Sequence, residues 1–564
     1  MRSALARLLV AAVTLGGVSL PAPVEAGDEV PGVNAADHRV RYLVPPNPLN
    51  QTDGMALDGK GGLFVTQALY NRVVRVDLKT LAITAIANET DVVPLQAPDD
   101  ITMGPDGNLY VTELLGRKVT RLSPDGRQRK VVGSNLGDGG TGTNGIAFNA
   151  EGRLFATDLS FADPSHPGGL WELDPHGIKP PVPVVRPLPT PEGFGFGPDG
   201  LAYVPQMFAG RIDVIDVNAR TIVRTLVDGF GYLVALKVGR DGQLLTMETD
   251  TGKVWRVDRI SGARTFIAQA PRGLDNLVED EDGTLYVSNF VHGNIWRVDP
   301  ATGVVDPLLP DRSLAFPFSL SQAPDGSLVV GDFTAVARVT GGKVSRHNRL
   351  LVDGPLQLLT PGAVQVGTSL YYSDFLPPDG RIFRLDLTTG ARQLVANGFG
   401  FPWHVRAGPD DHLLVSDQAL GAVVAVDPAT GRKSPVVQGL RSPSGLAFDG
   451  ARGVVYVSDT GAGRILSVAF GGGPPSVVAS GLTGPEGVTV DRDGTLLVVE
   501  GDLGRLVRVD PVRGTRTIVA TGLPTRTVGF GVPLMNYSSD VLVREDGSIV
   551  VSGNVDGSLI EFSR

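Results

Sequence analysis

The sequence predicts an all-β fold made of twelve copies of one four-stranded unit, and three observations support this prediction. Stretches of one pattern recur along the chain at intervals of about 40 to 50 residues. Short apolar stretches alternate with tight-turn signals such as Pro105-Asp106-Gly107, in which Pro presets φ and Gly tolerates a positive φ. The composition, with 73 Gly and 42 Pro among 564 residues, suits short strands and turns better than helices.

Each unit reads as strand, turn, strand, loop, strand, turn and strand. In the second unit, the apolar stretch 101–103 precedes the Pro-Asp-Gly turn and the stretch 109–111 follows it. A Gly-x-hydrophobic-x-Arg-Val-Asp pattern at 252–258 and 293–299 predicts the third strand, because its alternation buries one face. The first strands of the units begin at or beside Gly54, Ile101, Gly145, Gly193, Ala235, Asn276, Ser319, Ala363, His404, Gly445, Gly487 and Asp540.

Twelve such units predict two rings. A four-stranded sheet cannot cover both of its faces alone, but radial stacking covers them with neighbouring sheets, as in a β-propeller. Known propellers have four to eight blades, and a single hydrophobic core seldom grows beyond about 300 residues. We therefore expect two tandem six-bladed β-propellers, the first over 49–311 and the second over 312–564.

The N-terminal region predicts export. Arg2 and Arg7 precede an apolar run over 8–20, and the small residues of 24–26 suit cleavage by a signal peptidase, so we predict a signal peptide over 1–26. The protein is then expected in the periplasm or outside the cell. That apolar run is short for a membrane span, and no later stretch approaches about 18 apolar residues, so no membrane span is expected.

The segment 27–48 contains a strand-like stretch at 40–44, before the first unit begins. The last unit ends at Phe562, after its third strand. We therefore expect an N-terminal strand to complete a C-terminal blade, although the sequence does not distinguish which ring it closes.

Composition excludes several classes of function. The formal net charge is -10 and no basic run is present, so a nucleic-acid partner is not expected. The chain has no Cys, which excludes thiolate nucleophiles, thiolate metal sites and disulfides. Its stability must come from packing, with or without a bound ion.

Several units resemble a known family of repeats. The stretch 444–448, followed by 455–460 and 463–465, resembles NHL repeats. The Glu-Gly, Asn-Gly and Asp-Gly starts of other units resemble the regucalcin/gluconolactonase superfamily of six-bladed propellers, and the resemblance covers nearly the whole mature chain. It implies the propeller fold, whereas such propellers include lactonases, lyases, synthases and binding platforms, so it does not decide the activity.

In that superfamily the residue before the glycine of each first strand points into the central channel, where a Glu, an Asn and an Asp hold calcium or another divalent ion. The matching channel positions of the first ring are Asp53, Asp99, Asn144, Glu192, Val234 and Asp275, and those of the second ring are Phe318, Gly362, Trp403, Ser444, Glu486 and Ser539. Five of the six positions in the first ring thus carry a side-chain oxygen. The second ring shows no such pattern.

The resemblance implies that Asp53, Asn144, Glu192 and Asp275 bind a divalent metal ion, with Ca²⁺ the expected ion. The order of the ligands differs from the superfamily, where Glu comes first, then Asn, then Asp; no circular shift of the blades restores that order here. Independently of the resemblance, carboxylates that converge on a narrow channel repel each other unless a cation offsets their charge, and Ca²⁺ prefers oxygen ligands. The alternative is that these are ordinary turn residues in a wet, polar channel.

The predicted function is that of an exported divalent-ion-dependent hydrolase, resembling lactonases and gluconolactonases, that acts on a lactone or related ester. The ion would polarise the carbonyl group, and Asp99 or Asp275 would activate water as the general base. Two alternatives stay open: a metal-dependent lyase, and a non-enzymatic NHL-type scaffold that binds a protein or glycan and holds a structural ion.

Two residues of the second ring and one recurrent set of acids complete the candidates. Trp403 is either a stacking platform for a ligand or a plug in the channel, and His404 beside it is either a ligand-binding residue or a packed histidine. Acids that follow the second strands of both rings are predicted to hold loop backbone amides rather than to take part in catalysis. They are Glu113, Asp158, Asp332, Asp374, Asp417 and Asp459.

Overall fold

The computed structural model shows a chain built almost entirely of antiparallel β-sheet. It describes residues 24–564 apart from 89–90, 92–93, 137–141, 160–166, 311–313, 348, 350–351, 354–358, 377–378, 527 and 530–535. The described residues form twelve four-stranded sheets, one two-stranded sheet and three short 3-10 helices. Within this part of the chain no helix is long and apolar enough to cross a membrane.

The first six sheets form the blades of the first ring. In chain order their strands are, for blade 1, β2 (Met55–Leu57), β3 (Gly62–Gln67), β4 (Arg72–Asp77) and β5 (Ile83–Ala87); for blade 2, β6 (Pro98–Met103), β7 (Leu109–Glu113), β8 (Lys118–Leu122) and β9 (Arg129–Ser134); for blade 3, β10 (Thr143–Phe148), β11 (Leu154–Asp158), β12 (Gly168–Leu173) and β13 (Val182–Leu188); for blade 4, β14 (Gly195–Phe196), β15 (Ala202–Gln206), β16 (Arg211–Asp216) and β17 (Thr221–Val227); for blade 5, β18 (Leu233–Val238), β19 (Leu244–Glu248), β20 (Lys253–Val257) and β21 (Arg264–Gln269); and for blade 6, β22 (Leu274–Glu279), β23 (Leu285–Asn289), β24 (Asn294–Val298) and β25 (Val305–Pro307).

The other six sheets form the second ring. Their strands are, for blade 7, β26 (Ser319–Gln322), β27 (Leu328–Gly331), β28 (Val336–Thr340) and β29 (Lys343–His347); for blade 8, β30 (Ala363–Val366), β31 (Ser369–Leu376), β32 (Asp379–Asp386) and β33 (Arg392–Phe399); for blade 9, β34 (Pro402–Ala407), β35 (Leu413–Asp417), β36 (Ala422–Val426) and β37 (Lys433–Gln438); for blade 10, β38 (Pro443–Asp449), β39 (Val454–Asp459), β40 (Arg464–Ala469) and β41 (Ser476–Ser480); for blade 11, β42 (Pro485–Val490), β43 (Leu496–Glu500), β44 (Arg505–Val509) and β45 (Arg516–Thr521); and for blade 12, β48 (Val541–Val543), β49 (Ile549–Gly553), β50 (Ser558–Ser563) and β1 (Arg39–Val44). The two-stranded sheet pairs β46 (Val528–Gly529) with β47 (Asn536–Tyr537), and the 3-10 helices span Ala68–Tyr70, Thr460–Ala462 and Gly501–Leu503.

Each set of six blades closes on itself. The innermost strands contact one another in order around each ring, with β22 meeting β2 in the first and β48 meeting β26 in the second. Hydroxyls of the second strands link neighbouring blades; Thr112 Oγ1 donates to the carbonyl of Asn144 over 2.6 Å, and Ser288 Oγ closes the first ring by donating to Asp53 O over 2.6 Å. The predicted fold, two tandem six-bladed propellers, is confirmed.

The N-terminal strand belongs to the second ring. β1 pairs antiparallel with β50 and forms the outer strand of blade 12, so the two ends of the chain meet in one sheet. Most of the predicted signal peptide, residues 1–23, lies outside the described residues, as does the predicted domain boundary at Asp311. The last strand of the first ring ends at Pro307, and the first strand of the second begins at Ser319.

Apolar side chains fill the spaces between neighbouring blades, and one aromatic cluster joins the rings. The Tyr70 ring lies 4.4 Å from that of Phe316, and the Tyr70 hydroxyl donates to Ala315 O over 2.9 Å. This cluster consists of Leu69 and Tyr70 from the first ring and Phe316, Phe318, Phe333, Phe375, Phe401 and Trp403 from the second. The two rings therefore share a buried apolar contact.

Candidate functional site

A recurrent β-bulge aims the channel residues inward. In blade 2 the pairing between the first two strands slips between Pro98 and Ile101, so Asp99 and Asp100 are left out of the ladder. The same slip leaves residues 144–145 out in blade 3 and 275–276 in blade 6. A bulge redirects side chains locally, which explains why two consecutive residues in these blades face the channel in two successive layers.

The outer layer of the first ring brings three carboxylates together. Oxygens of Asp53, Asp99 and Asp275 all lie within 4.8 Å of one another. Asp53 is buried, whereas Asp99 and Asp275 keep some accessible surface. Three such groups from blades 1, 2 and 6 form the cage of oxygens that a hard divalent cation prefers.

Two of the three carboxylates are held in place. Asp53 accepts hydrogen bonds from Gln51 Nε2 at 3.1 Å and from the backbone N–H of Ala68 at 2.8 Å. Asp99 accepts one from Asn144 Nδ2 at 3.0 Å. Asp275 has no hydrogen bond to any residue that the structure describes, so its carboxylate is the least committed of the three.

Glu192 adds a fourth carboxylate that is only 3 % exposed. Its Oε1 is buried and, within the described part of the chain, lacks a hydrogen-bond partner. Asn144 acts on this carboxylate through a side-chain hydrogen bond that lowers its pKa, but burial and the charges of Asp99 and Asp275 outweigh it. A buried carboxylate oxygen without a partner, under the charges of Asp99 and Asp275, has the chemistry of a cation ligand.

Electrostatics in the outer layer are unfavourable without a cation. Burial raises the pKa of Asp53, Asp99, Glu192 and Asp275 well above the usual values, and the neighbouring carboxylates raise each of them further. None of the four forms an ion pair with a described Lys or Arg. The structure brings Asp53, Asp99 and Asp275 into one group, and the charges of Asp99 and Asp275 also act on Glu192. Val234, which carries no side-chain oxygen, is buried at the fifth position.

The inner layer contains a feature that sequence reasoning missed. Asp100 is buried and accepts hydrogen bonds from Asn276 Nδ2 at 2.9 Å and from the backbone N–H of Ile146 at 3.2 Å. Lys237 Nζ lies 3.4 Å from its carboxylate. These partners belong to blades 6, 3 and 5, so the contacts of one carboxylate from blade 2 connect four blades across the channel. The signal was visible in the sequence, because the residue after the channel position is Asp in blade 2 but Gly or Ala in four of the other five blades of the first ring.

The second ring has an aromatic centre. The Trp403 ring lies 4.9 Å from Phe318 and 5.3 Å from Phe401, and its Nε1 donates to Ser538 Oγ over 2.5 Å. Trp403 and Phe318 are fully buried. Of the two roles considered for Trp403, this packing matches a plug in the channel.

Beneath the plug lies a second buried ion pair. Asp540 of blade 12 pairs with Arg406 of blade 9 and accepts from the backbone N–H of Leu320 at 2.8 Å. His404 is fully buried, with Nε2 3.3 Å from the Phe318 carbonyl oxygen and Nδ1 without a partner among the described residues. A ligand could reach His404 or Trp403 only by displacing the aromatic cluster, so neither enters the proposed function below.

The protonation of His404 should leave a signature in the pH dependence of stability. Burial lowers the pKa of His404 to about 4, with Arg406 lowering it and Asp540 raising it. As pH falls from 6.5 toward 4, the His404 imidazole is protonated in the unfolded chain but stays neutral in the folded chain. The free energy of unfolding therefore falls over this window, by about 3 kcal/mol between pH 7 and 4. Denaturant titrations from pH 7 to 4 should show that the free energy of unfolding falls by about 3 kcal/mol less in His404→Gln than in the wild type. If it falls equally in both proteins, His404 is not the group responsible.

Four of the six acids after the second strands accept hydrogen bonds from loop backbone amides, as predicted: Glu113, Asp332, Asp417 and Asp459. Asp417 accepts from the N–H groups of Gly400 at 2.7 Å and Phe401 at 2.8 Å, and Glu113 accepts from Gln96 N at 2.7 Å. Several also pair with a base on the next strand, as in Glu113–Lys118, Asp374–Arg381 and Asp459–Arg464. These contacts hold the loops that lead into the first strands of the same blades.

Comparison with known proteins bears on the fold. No protein-family model matches the chain, and no curated protein matches it by sequence. Among solved structures, a virginiamycin B lyase from Staphylococcus aureus is 16% identical and aligns over 55% of this chain and 99% of its own, with a TM-score of 0.38. A gluconolactonase from Xanthomonas campestris is 18% identical over 51% of this chain and 99% of its own, with a TM-score of 0.38. The tricorn protease is 12% identical over 92% of this chain and 63% of its own, with a TM-score of 0.35.

Proposed function

We propose that the protein is an exported, divalent-ion-dependent hydrolase that opens a lactone or cleaves a related ester in the first ring. One observation supports this proposal above all: Asp53, Asp99 and Asp275 place carboxylate oxygens within 4.8 Å of one another. The charges of Asp99 and Asp275 also act on Glu192, whose buried Oε1 has no hydrogen-bond partner among the described residues. No described base pairs with any of them. A site that gathers this much uncompensated charge in a buried place is suited to a cation.

The residues present fit a divalent ion, and Ca²⁺ fits best because it accepts six to eight oxygen ligands in irregular geometry. Asp53 and Glu192 would hold it, with Asn144 offering its amide oxygen and Asp99 and Asp275 completing the cage. Gln51 and Ala68 N already fix the Asp53 carboxylate. A bound ion would supply a Lewis acid that polarises the substrate carbonyl.

The chain's own residues would carry the proton. Asp275, which no described residue engages by a hydrogen bond, would take a proton from the attacking water, with Asp99 the second candidate for this role. The water oxygen forms a bond to the carbonyl carbon, the ring C–O bond breaks, and the proton passes to the departing alkoxide. The products are a free hydroxyl group and a carboxylic acid, which releases the second proton of the water to solvent and becomes a carboxylate.

The proposal is tested by hydrolysis of a panel of lactones and esters with the mature chain, with and without Ca²⁺. We expect turnover that chelation abolishes and Ca²⁺ restores. At Ca²⁺ concentrations that saturate both proteins, Asp275→Asn should lower kcat about a hundredfold, because it removes the base as well as one ligand of the ion. Asp540→Asn, at a buried carboxylate of the second ring, should leave kcat unchanged and serves as the control.

Other outcomes discriminate the alternatives. If Ca²⁺ binds but no lactone or ester is hydrolysed, the hydrolase is wrong and the ion is structural, as in a propeller that presents its faces to a protein or glycan. Formation of an unsaturated product without uptake of water would instead identify a lyase. If Asp275→Asn retains full turnover, Asp275 is not the base.

A further inference from the structure

A short 3-10 helix connects the carboxylates of the first ring with the aromatic cluster between the rings. It spans Ala68–Tyr70, directly after the second strand of blade 1, and we call it the connecting turn. The backbone N–H of Ala68 bonds to Asp53, and the ring of Tyr70 packs against Phe316 of the second ring. Three consecutive residues thus contact both a candidate ion ligand and the neighbouring ring.

The connecting turn holds the Asp53 carboxylate through two backbone N–H groups. The N–H of Ala68 donates to Asp53 Oδ2 over 2.8 Å. The N–H of Leu69 donates to Gln51 Oε1 over 2.6 Å, and Gln51 Nε2 donates in turn to Asp53 Oδ1 over 3.1 Å. Each carboxylate oxygen of Asp53 therefore accepts a hydrogen bond whose geometry depends on the turn.

The second ring holds the other end of the connecting turn. Leu69 and Tyr70 are buried in one cluster with aromatic side chains of that ring. The Tyr70 hydroxyl donates to Ala315 O over 2.9 Å. The N–H groups of Ala315 and Phe316 donate to the carboxylate of Asp332 in blade 7. The turn thus packs against a segment that is itself fixed to the second ring.

The Asp53 carboxylate needs support of this kind because its neighbours repel it. Oxygens of Asp99 and Asp275 lie within 4.8 Å of a carboxylate oxygen of Asp53. A 3-10 helix of three residues has little stability of its own, and no described side chain caps the start of this one. Burial of Leu69 and Tyr70 against the second ring adds the tertiary packing that so short a helix requires.

Blade 2 shows that this arrangement is not shared by every blade. The residue after its second strand is Leu114, whose N–H donates to Ala97 O over 2.9 Å rather than to a carboxylate. Asp99 of that blade accepts instead from Asn144 of blade 3. Among the described hydrogen bonds of the three clustered carboxylates, those of Asp53 are the ones that lead to the second ring.

From these contacts we infer that the second ring positions Asp53 for the ion. Tyr70 is the positioning residue of the first ring, and Phe316 is its partner in the second. The inference rests on the proposed function, because the ion that Asp53 would bind is the one proposed there. It gives the second ring, whose own centre is plugged, a role in the chemistry of the first. Losing the contacts that orient a ligand typically weakens metal binding about ten- to a hundredfold.

Calorimetric titration of Ca²⁺ into the mature, metal-free chain tests the inference. Tyr70→Ala and Phe316→Ala should each raise the Kd about tenfold. The double variant should raise it by less than the product of the two effects, because both substitutions remove the same contact. Tyr70→Phe keeps the ring and loses one hydrogen bond, so its Kd should stay within about threefold of the wild type. An unchanged Kd in Tyr70→Ala and Phe316→Ala would overturn the inference.

Phe401→Ala is the matched control. Phe401 is buried in the same aromatic cluster, but its described ring contacts are with Phe375 and Trp403 rather than with the connecting turn. This variant should lower the thermal transition to an extent similar to Phe316→Ala and leave the Kd for Ca²⁺ unchanged. If Phe401→Ala weakens Ca²⁺ binding as much as Phe316→Ala does, the effect is a general loss of stability and Tyr70 is not a positioning residue.

Amide hydrogen exchange in the metal-free chain gives a readout that depends on neither the ion nor turnover. The N–H groups of Ala68 and Leu69 should exchange about tenfold faster in Phe316→Ala than in the wild type, because the connecting turn opens more often. The N–H of Leu114, at the equivalent position of blade 2, should exchange at the same rate in both proteins. Equal acceleration at Leu114 would contradict an effect specific to the turn.

The two measurements separate this inference from the proposed function. If no lactone or ester is hydrolysed but the Kd and the exchange of Ala68 and Leu69 respond as expected, the hydrolase fails and the positioning of Asp53 stands. If Ca²⁺-dependent hydrolysis is found but neither the Kd nor the exchange responds to Phe316→Ala, the positioning fails and the hydrolase stands.

Discussion

Calcium at about a thousand times its Kd is expected to raise the free energy of unfolding by about 4 kcal/mol, because an ion that binds only the folded chain stabilises it by mass action. The wild type and Asp275→Asn should differ in stability in opposite directions in the two buffers, one with chelator at pH 8 and one with Ca²⁺. In chelator Asp275→Asn should be more stable than the wild type, since it removes one of four mutually repelling carboxylates. In Ca²⁺ the same variant should be less stable than the wild type, because it lacks one ligand. Differential scanning calorimetry in the two buffers measures both effects.

The control for this reversal is a buried carboxylate whose charge is already balanced by an arginine side chain. Asp540 is paired with Arg406, so Asp540→Asn should destabilise the chain to the same extent with and without Ca²⁺. If Asp275→Asn destabilises the chain equally in both buffers, the carboxylates of the first ring are not a cation site. Their burial would then be a structural cost that the rest of the fold offsets.

Breaking the ion pair of the second ring should have an effect of comparable size. Arg406→Met leaves Asp540, whose side chain is fully buried, with the N–H of Leu320 as its one hydrogen bond to another blade among the residues that the structure describes. Removing one partner of a buried pair costs about 3 to 5 kcal/mol, because the remaining charge is uncompensated. Urea titrations of the single variants and of Arg406→Met/Asp540→Asn should show that the double variant is less destabilised than the sum of the two.

The first ring provides the matched comparison. Lys237 and Asp100 come from blades 5 and 2, three apart in a ring of six, and Arg406 and Asp540 are likewise three blades apart, so each pair spans its channel. Lys237→Met should be milder than Arg406→Met, since Asp100 keeps the hydrogen bonds from Asn276 and Ile146. If Lys237→Met and Arg406→Met lower the free energy of unfolding equally, the hydrogen bonds from Asn276 and Ile146 do not stabilise the buried Asp100 carboxylate.

The channel layer could be predicted from the sequence because it depends on local pattern alone. A bulge recurs at the start of several blades, and aligning the first strands of the repeats put Asp53, Asp99, Glu192 and Asp275 at equivalent positions. Bulges are local features of a strand pair, and a repeat aligns them without knowledge of the tertiary fold.

The inner layer and the plug could not be predicted in this way. Lys237 and Asp100 are 137 residues apart, and they meet only because a ring of six blades places blades 2 and 5 opposite each other. The insertion of Tyr70 against Phe316 depends on how one ring packs on the other. No pattern within a single repeat encodes that placement. For the same reason, the sequence identified Trp403 as a channel residue but left its role open.

The central claim, a divalent ion held in the first ring, is tested most directly by calorimetric titration of Ca²⁺ into the mature, metal-free chain and into two variants at the same register position. We predict one ion per wild-type chain, loss of binding in Glu192→Gln, and unchanged binding in Glu486→Gln of the second ring. Glu486 is buried at the equivalent channel position and accepts the N–H of Ser539 at 2.6 Å, so this variant controls for burial and register. Absence of heat in the wild type, or equal binding by Glu192→Gln, would contradict the account.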